Sequence, residues 1–309
     1  MVLVYHCSLE QKSFGNKIPE TTNMELDNWL IMNISDIKQT MAFVEEGFFV
    51  MGCTETETSK YGYYDNADDL SNTRPQRNIF LDSFWIDKYP VTNAQYKNII
   101  DETGHRIPLL DNKHPDEEIR VELSKYEWDS ITRIYKSGLD DCPVVIVSWE
   151  DAIAYANWTG RTLPTEAQWE KAARGVEGIR FPWGNDDEVE LYCQCSYMGM
   201  KFPPENYEDQ DLQRGKVQDY ANGVSPYGCF NMMGLVEEWC LDVYDEEFYS
   251  YMPEKNPFRS EVGIKSKSKD IYRATRGDIT FARHIGSRGF CEQTWTNCAT
   301  GFRCVLPLD

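Results

Sequence analysis

The sequence has no excess of positive charge and no long apolar run. It carries 51 acidic residues against 31 basic ones, which gives a formal net charge of −20. Such a field is a poor match for the phosphates of nucleic acid or for an anionic membrane surface. No stretch approaches the roughly 20 apolar residues of a membrane-spanning helix, and residues 1–12 lack the basic flank and apolar core of a secretory signal. These absences predict a cytoplasmic protein that binds neither nucleic acid nor membranes.

Motifs for several kinds of chemistry are missing as well. The chain has ten cysteines but no C-x-x-C pair, which argues against a structural zinc site. In the reducing cytoplasm most of these cysteines are expected to stay as thiols. No glycine-rich phosphate-binding loop and no G-x-S-x-G turn occurs. The four histidines, His6, His105, His114 and His284, are scattered, so no histidine cluster for a metal is predicted.

Three helices are present with clear signals at both ends. Thr92, Ser148 and Thr165 each precede a helical pattern, and an acidic or amide residue follows each of them three positions later. This spacing predicts a capping box, in which each side chain satisfies the other residue's free backbone N–H. A glycine follows the end of each helix. Trp169 and the alanines near it recur at helical spacing and predict a stripe that faces the core.

Strand-like segments and loops fill the remainder. Residues 41–53 alternate between apolar and polar side chains and predict a hairpin. Residues 54–75 are acidic and polar and predict a long loop, whereas the apolar run 144–149 predicts a strand. Residues 1–40 are polar with one short apolar patch. We expect them to form a preamble that packs on a single domain covering residues 41–309.

Seven phrases along the chain occur in an order that is specific to one family. They are FVMG (49–52), YPVTNAQY (89–96), VSWEDAIAYANWTGRTLPTEAQWEKAARG (147–175), FPWGN (181–185), SPYGCFNMMGLVEEWCLDVY (225–244), RATRG (273–277) and GFRC (301–304). Over residues 41–309 the chain thus resembles the sulfatase-modifying-factor family. This family includes formylglycine-generating enzymes, relatives with nonheme iron, and the variable proteins of diversity-generating retroelements. The resemblance implies an α+β, C-type-lectin-like fold with short twisted sheets, two main helices and much irregular loop.

The resemblance also implies structural calcium. Family members hold one calcium ion with the pattern N-x-x-G-x-x-x-E, through the two outer side chains and two backbone carbonyls. The matching residues here are Asn231, Gly234, Val236 and Glu238. Oxygen ligands on a tight turn suit a hard cation, although Asn231 and Glu238 could instead only cap the turn. A second family site would use Asp211 and, in place of a missing asparagine, Gln194.

The cysteine pair of the family's oxidases is absent from its expected position. In the enzymes two thiolates follow an R-G-G-S-like phrase and bind Cu(I), a soft ion that suits sulfur. Here the phrase reads RGDI (276–279), and neither cysteine follows it. This departure predicts that the oxidase chemistry is lost. Candidates for a rearranged copper or iron site are Cys291, Cys298 and His284, but the two cysteines are also typical of small core residues.

The C-terminal third presents the ligand surface in lectin-type folds, and here it corresponds to residues 278–300. The candidate contact residues are Phe281, Arg283, His284, Arg288, Phe290, Gln293 and Trp295, which include types common in interface hot spots. The competing interpretation places the two phenylalanines in the core and the arginines on a solvated rim.

Two function classes follow from these patterns. The first is an inactive, calcium-stabilised module that binds a protein or peptide ligand, and a retroelement variable protein is one form of it. The second is a metal-dependent oxidoreductase with a rearranged site, either a thiol oxidase acting on a cysteine-containing peptide or a nonheme iron enzyme.

Overall fold

The computed structural model describes residues 39–61, 67–110, 124–186, 188–193, 196–197, 200–201, 215–260, 271–277 and 284–308. The chain divides into two units, Met1–Gln39 and Thr40–Asp309, and the elements described below belong to the second. Nearly all of the predicted preamble 1–40 lies outside the described residues, so its packing stays a prediction.

Within these ranges the chain forms eleven short strands. They are β1 Met41–Val44, β2 Gly47–Met51, β3 Arg77–Leu81, β4 Phe84–Asp87, β5 Ser196–Tyr197, β6 Met200–Lys201, β7 Glu237–Val243, β8 Tyr272–Arg276, β9 Arg288–Glu292, β10 Thr300–Gly301 and β11 Val305–Pro307. The largest sheet has the order β10-β7-β8-β9, with β10 parallel to β7 and the other pairs antiparallel. A second sheet has the order β1-β4-β11, and two two-stranded sheets pair β2 with β3 and β5 with β6.

Five α-helices accompany the strands in the described part of the chain. They are α1 Glu55–Tyr61, α2 Asn93–Thr103, α3 Trp149–Trp158, α4 Glu166–Arg174 and α5 Phe248–Tyr251. The three predicted capping boxes are confirmed at Thr92, Ser148 and Thr165, the N-caps of α2, α3 and α4. The family pattern implied two main helices, and α2 adds a third of similar length. None of the described helices is long and apolar enough to cross a bilayer.

The predicted hairpin at residues 41–53 is wrong, although both of its strands form. β1 pairs with β4 and β2 pairs with β3, so the two strands belong to different sheets. The link between them is fixed from outside, because Lys171 Nζ of α4 donates hydrogen bonds to the carbonyls of Glu45 and Gly47 at 2.6 and 3.0 Å. These hydrogen bonds fix the segment between β1 and β2. The segment therefore connects two sheets and does not form the tight turn of a hairpin.

The predicted loop at residues 54–75 contains a helix instead. Glu57 N–H donates to Thr54 Oγ1 at 3.2 Å, and Thr54 N–H donates to Glu57 Oε2 at 2.7 Å. These contacts form a capping box at the start of α1. A 3₁₀ helix, Ala67–Thr73, follows in the same segment. The acidic composition hid a start signal that the T-x-x-E spacing contains.

The predicted strand at residues 144–149 does not form. Ile146 has φ 60°, in the left-handed region that β-branched residues rarely adopt and that a strand cannot contain. Its N–H donates to the carbonyl of Asn297, and that of Val144 donates to the carbonyl of Val91, at 2.8 and 2.9 Å. The run is apolar because it is buried, not because it belongs to a sheet.

The core lies on both faces of the largest sheet. On one face α4 packs against β7 and β8, and Trp169 is fully buried there, as its predicted stripe requires. On the other face Trp239 of β7 joins an apolar cluster formed with α2 and α3. Side chains that alternate along β7, β8 and β9 therefore enter two different environments.

Candidate functional site

The face of the largest sheet that meets α4 carries arginines into the core. Arg276 of β8 and Arg288 of β9 are direct register partners, and Ala274 and Phe290 form the next pair on the same face. Both arginines are buried, so their charge requires partners within the protein.

Glu166 and Glu170 of α4 supply those partners. Arg288 donates to Glu166 through Nε at 2.7 Å and Nη2 at 2.8 Å, and Arg276 Nη2 donates to Glu170 Oε2 at 2.7 Å. Arg174 Nη1 donates to Glu170 Oε1 at 2.9 Å. Burial alone would raise the pKa of Glu170, but the charges of Arg276 and Arg174 lower that pKa to about 2. These five side chains form what we call the ionic network.

The ionic network also holds the bend after β2 and the 3₁₀ helix Ala67–Thr73. Gly52 N–H donates to Glu170 Oε1 at 2.7 Å, and Arg288 Nη1 donates to the carbonyl of Asn72 at 2.7 Å. Gly52 has φ 82°, and a Cβ there would lie 2.5 Å from the carbonyl oxygen of Thr73, so only glycine fits. The FVMG phrase therefore needs its glycine because the backbone at this position passes close to the ionic network.

Asp242 lies beside the ionic network on β7. Its carboxylate accepts hydrogen bonds from the N–H groups of Glu166 at 2.9 Å and Arg259 at 3.0 Å. Burial and the neighbouring charge of Glu166 raise the pKa of Asp242 to about 7. This carboxyl thus changes charge near neutral pH inside the core.

Further along the same face, aromatic rings reach the solvent. The Phe290 side chain is 52% exposed and that of Tyr272 is 40% exposed. Phe290 stacks on Tyr244 with a centroid distance of 4.4 Å and meets Tyr272 edge-on at 5.6 Å. The Arg288 guanidinium lies 5.0 Å from the Tyr244 ring, and Asn72 Nδ2 donates to the Tyr244 hydroxyl at 2.9 Å. We call Tyr244, Tyr272 and Phe290 the aromatic patch.

The sheet divides the predicted contact residues between its two faces. Phe290 belongs to the aromatic patch, whereas the side chain of Gln293 lies with Arg273, whose guanidinium stacks on Trp149 at 3.6 Å. Trp295 is 52% exposed. Arg288 is buried in the ionic network and therefore supports the surface from beneath. Phe281 and Arg283 lie outside the described residues, as do Gln194 and Asp211 of the second calcium pattern.

His284 is fully buried next to Cys53 and Glu57. The Cys53 sulfur lies 3.3 Å from Nδ1 and 3.9 Å from Nε2, so it faces the ring and does not point along the lone pair of either nitrogen. Gly286 N–H donates to Nδ1 at 2.9 Å, which assigns the proton of a neutral ring to Nε2, 3.7 Å from Glu57. Burial raises the pKa of Cys53 to about 12. The group therefore offers no thiolate at neutral pH.

The two candidate cysteines lie in different apolar clusters. Cys291 of β9 packs against the cluster formed with α2 and α3, and Cys298 is buried in a smaller cluster with Val236 and Ile146. Cys304 of the GFRC phrase is fully buried. In the part of the chain that the structure describes, no group of three or more His, Cys, Asp or Glu side chains could hold a metal ion.

Asn231 carries an unusual buried oxygen. Its Nδ2 donates to the carbonyl of Val217 at 2.7 Å, but Oδ1 has no hydrogen-bond partner among the described residues. Asn231, Gly234 and Leu235 all have positive φ, at 52°, 77° and 64°, so the backbone is tightly curled here. A buried carbonyl oxygen without a donor is rare in proteins and fits the ligand of a cation.

Glu238 is more fully engaged. Arg303 donates to both of its carboxylate oxygens at 2.7 Å, through Nε and Nη2, and Trp169 Nε1 donates to Oε2 at 2.9 Å. Oε1 accepts one hydrogen bond and keeps one acceptor position. The residues of this segment thus fit the implied calcium site, in which Asn231 would be the main side-chain ligand and Glu238 would have a minor role.

A family model described as "Sulfatase-modifying factor enzyme 1-like domain" matches residues 33–308. The chain belongs to this family. Within the sulfatase-modifying-factor family, the formylglycine-generating enzyme of Thermomonospora curvata is 32% identical over 303 residues, which cover 88% of this chain and 95% of that protein. The formylglycine-generating enzyme of Streptomyces coelicolor is 33% identical and covers 76% of this chain and 82% of its own length. The serine/threonine-protein kinase pkn1 of Chlamydia caviae is 30% identical over 86% of this chain, but the chain spans only 37% of that protein.

Solved structures confirm the expected fold of this family member. PvdO from Pseudomonas aeruginosa superposes with a TM-score of 0.63 at 20% identity, over 87% of this chain and 94% of that one. Treponema denticola variable protein 1 superposes with a TM-score of 0.56 at 17% identity, over 86% and 94%. At these identities the likeness shows the fold, an α+β C-type-lectin-like domain, and says nothing about activity.

Proposed function

We propose that this member of the sulfatase-modifying-factor family is a binding module for a protein or peptide, and that the aromatic patch is part of its contact surface. The half-exposed ring of Phe290, held between Tyr244 and Tyr272, is the observation that carries the proposal. Large aromatic side chains supply much contact area, and a ring already held by its neighbours loses little freedom on binding.

The support beneath the aromatic patch favours the same function. Arg288 connects Tyr244 to the buried ionic network, and β8 and β9 fix the positions of Tyr272 and Phe290. Binding surfaces work best when rigid elements hold their contact residues in place. Within the family's range of activities, the protonated thiol of Cys53 and the separate packing of Cys291 and Cys298 support binding over thiol oxidation.

Calcium has a structural role in this proposal. Asn231, the carbonyls of Gly234 and Val236, and the remaining acceptor position of Glu238 would hold the ion. Its positive charge would pair with the orphaned Oδ1 oxygen of Asn231, in a curled segment whose apolar side chains Met232 and Met233 already lie in the core. The second pattern, Asp211 with Gln194, stays a prediction.

A variable protein of a retroelement is a narrower form of the same proposal. Treponema denticola variable protein 1 shares the fold, and the segment that such proteins diversify corresponds to residues 278–300. Sequencing many copies of the gene from one cell lineage tests this form. Substitutions concentrated in residues 278–300 are expected if it holds, and an invariant segment would exclude it.

The proposed contact surface is tested by selecting displayed peptides against the folded protein. We expect the selected peptides to bind at least about tenfold more weakly to a Phe290→Ala/Tyr272→Ala variant. Phe43→Ala is the matched control, because Phe43 is a comparably exposed ring on the β1-β4-β11 sheet and its loss should change nothing. Equal binding to both variants would place the contact elsewhere, and a selection that enriches no peptide would count against the binding function.

A further inference from the structure

The outermost strand of the largest sheet has an open edge. Among the described residues, β8 is the only strand that pairs with β9 in the order β10-β7-β8-β9. Gln293 N–H donates to the carbonyl of Ile271 at 2.8 Å, which makes residues 271 and 293 a hydrogen-bonded antiparallel pair. Hydrogen-bonded and non-hydrogen-bonded pairs alternate from that point. Residues 288, 290 and 292 therefore direct their backbone N–H and C=O groups away from β8.

The protein closes both ends of this edge itself. At one end Asn72 Nδ2 donates to the carbonyl of Arg288 at 3.3 Å, and at the other Trp295 N–H donates to the carbonyl of Glu292 at 2.9 Å. Between these two contacts, the N–H and C=O of Phe290 and the N–H of Glu292 have no hydrogen-bond partner among the described residues. Such a row of unpaired backbone groups is a template for another strand.

The side chains beside this edge indicate what kind of strand would pair with it. Phe290 lies on the edge strand itself and would contact the side chains on one face of an added strand, whereas Tyr272 lies beside Phe290 on β8, one strand further in. Glu292 ends β9 itself. Two exposed acidic residues, Glu246 and Glu247, follow Asp245, whose carbonyl accepts a hydrogen bond from Arg288 Nη2 of β9 at 3.2 Å. Together with the net charge of −20, these carboxylates favour a cationic segment and oppose a second copy of this acidic chain.

We infer that β9 receives an extended segment of a partner protein as an added strand, and that this segment carries lysine or arginine. The inference rests on the proposed binding function and specifies its mode. Backbone hydrogen bonds to Phe290 and Glu292 would supply affinity, and the aromatic patch with its acidic neighbours would select the side chains. Because Asn72 and Trp295 limit the open edge, the added strand is short.

Synthetic peptides test the mode directly. The probe is an octapeptide of alternating lysine and valine, compared with the same peptide N-methylated on every lysine or on every valine, and with a glutamate-valine peptide. Binding is followed by the amide NMR signals of the ¹⁵N-labelled protein. We expect the lysine peptide to shift the amides of Phe290 and Glu292, one of the two N-methylation patterns to weaken binding at least about tenfold, and the glutamate peptide not to bind.

A protein variant removes the edge donor without removing the aromatic patch. Proline is tolerated at edge positions whose N–H points to solvent, so Glu292→Pro should fold and lose the hydrogen bond to the peptide. Glu292→Gln is the matched control, since it removes the charge and keeps the N–H. Thermal unfolding of both variants confirms that they are folded.

The outcomes separate the inference from the function on which it rests. Strand addition is overturned if both N-methylated peptides bind as well as the parent, if the glutamate peptide binds better, or if no lysine peptide shifts Phe290 and Glu292. Displayed peptides that still depend on Phe290 and Tyr272 would leave the proposed function standing in any of those cases. Failure of the peptide selection as well would remove both.

Discussion

The guanidinium of Arg288 and the carboxylate of Glu166 form a buried ion pair with two hydrogen bonds, 2.7 and 2.8 Å long. The same guanidinium lies 5.0 Å from the ring of Tyr244, on which the exposed Phe290 stacks. One arginine thus connects α4 in the core to the surface proposed to bind ligand. Stability and binding should therefore both respond to a change at this position.

Arg288→Ala is expected to lower the free energy of unfolding by about 3–5 kcal/mol, because it leaves the Glu166 carboxylate buried without its main partner. Arg259→Ala is the comparison, since Arg259 pairs with Asp245 near the surface and such pairs contribute about 0–1 kcal/mol. Urea denaturation measures both. Equal losses in the two variants would contradict a special role for the buried pair.

Stability should fall as the pH rises toward neutrality, and Asp242 should cause part of the fall. Its pKa is raised to about 7 in the folded protein and is about 3.9 in an unfolded chain. The folded state therefore binds this proton more tightly, so the stabilisation is complete below about pH 4 and is lost as the pH rises through about 7. Urea denaturation between about pH 5 and 8 should show a steeper decline for the natural protein than for Asp242→Asn. Parallel declines would show that another group is responsible.

Calcium should raise the melting temperature of protein that has first been treated with a chelator. A free calcium concentration 100 times the dissociation constant raises the free energy of unfolding by about 2.7 kcal/mol. Asn231→Ala should abolish the increase because it removes the orphaned Oδ1 oxygen. Asn256→Ala is a control at another asparagine with positive φ, and it should keep the increase. A calcium response that survives in Asn231→Ala would place the ion at another site.

Anaerobic titration with Cu(I) should show no one-to-one binding that depends on Cys291 and Cys298. The two thiols pack in separate apolar clusters, and a soft ion needs both sulfur atoms at one point. The control is the Cys291→Ser/Cys298→Ser variant in its reduced form. Tight binding that disappears in this variant would revive the oxidoreductase hypothesis and would weaken the proposed binding function.

The elements that sequence reasoning located are those with local signals. The capping boxes at Thr92, Ser148 and Thr165 depend on residues three positions apart, and all three formed. The T-x-x-E signal at Thr54 was equally local, but the acidic composition around it masked it. The hairpin prediction failed because pairing is not local: β2 pairs with β3, which follows some thirty residues later, beyond a helix and a 3₁₀ helix.

The candidate site also contains some residues that the sequence could predict and others that it could not. Phe290 could be singled out from its residue type and its place in the C-terminal third, but its partners Tyr244 and Tyr272 become visible only through the register of the sheet. The ionic network was missed because Glu170 looks like a surface residue of a short helix. Glu170 can be buried because Arg276, more than a hundred residues later in the chain, neutralises its charge.

The placement of β1 and β11 has a mechanical consequence. Both strands are antiparallel to β4 and flank it, so they run in the same direction on either side of it. A pull that separates Met41 from Pro307 would act along the strands and load the hydrogen bonds of both pairs together. Shear of this kind resists tension better than peeling, in which bonds break one after another. The load would also bypass β8 and β9, so this domain could carry force without distorting the surface proposed to bind a ligand.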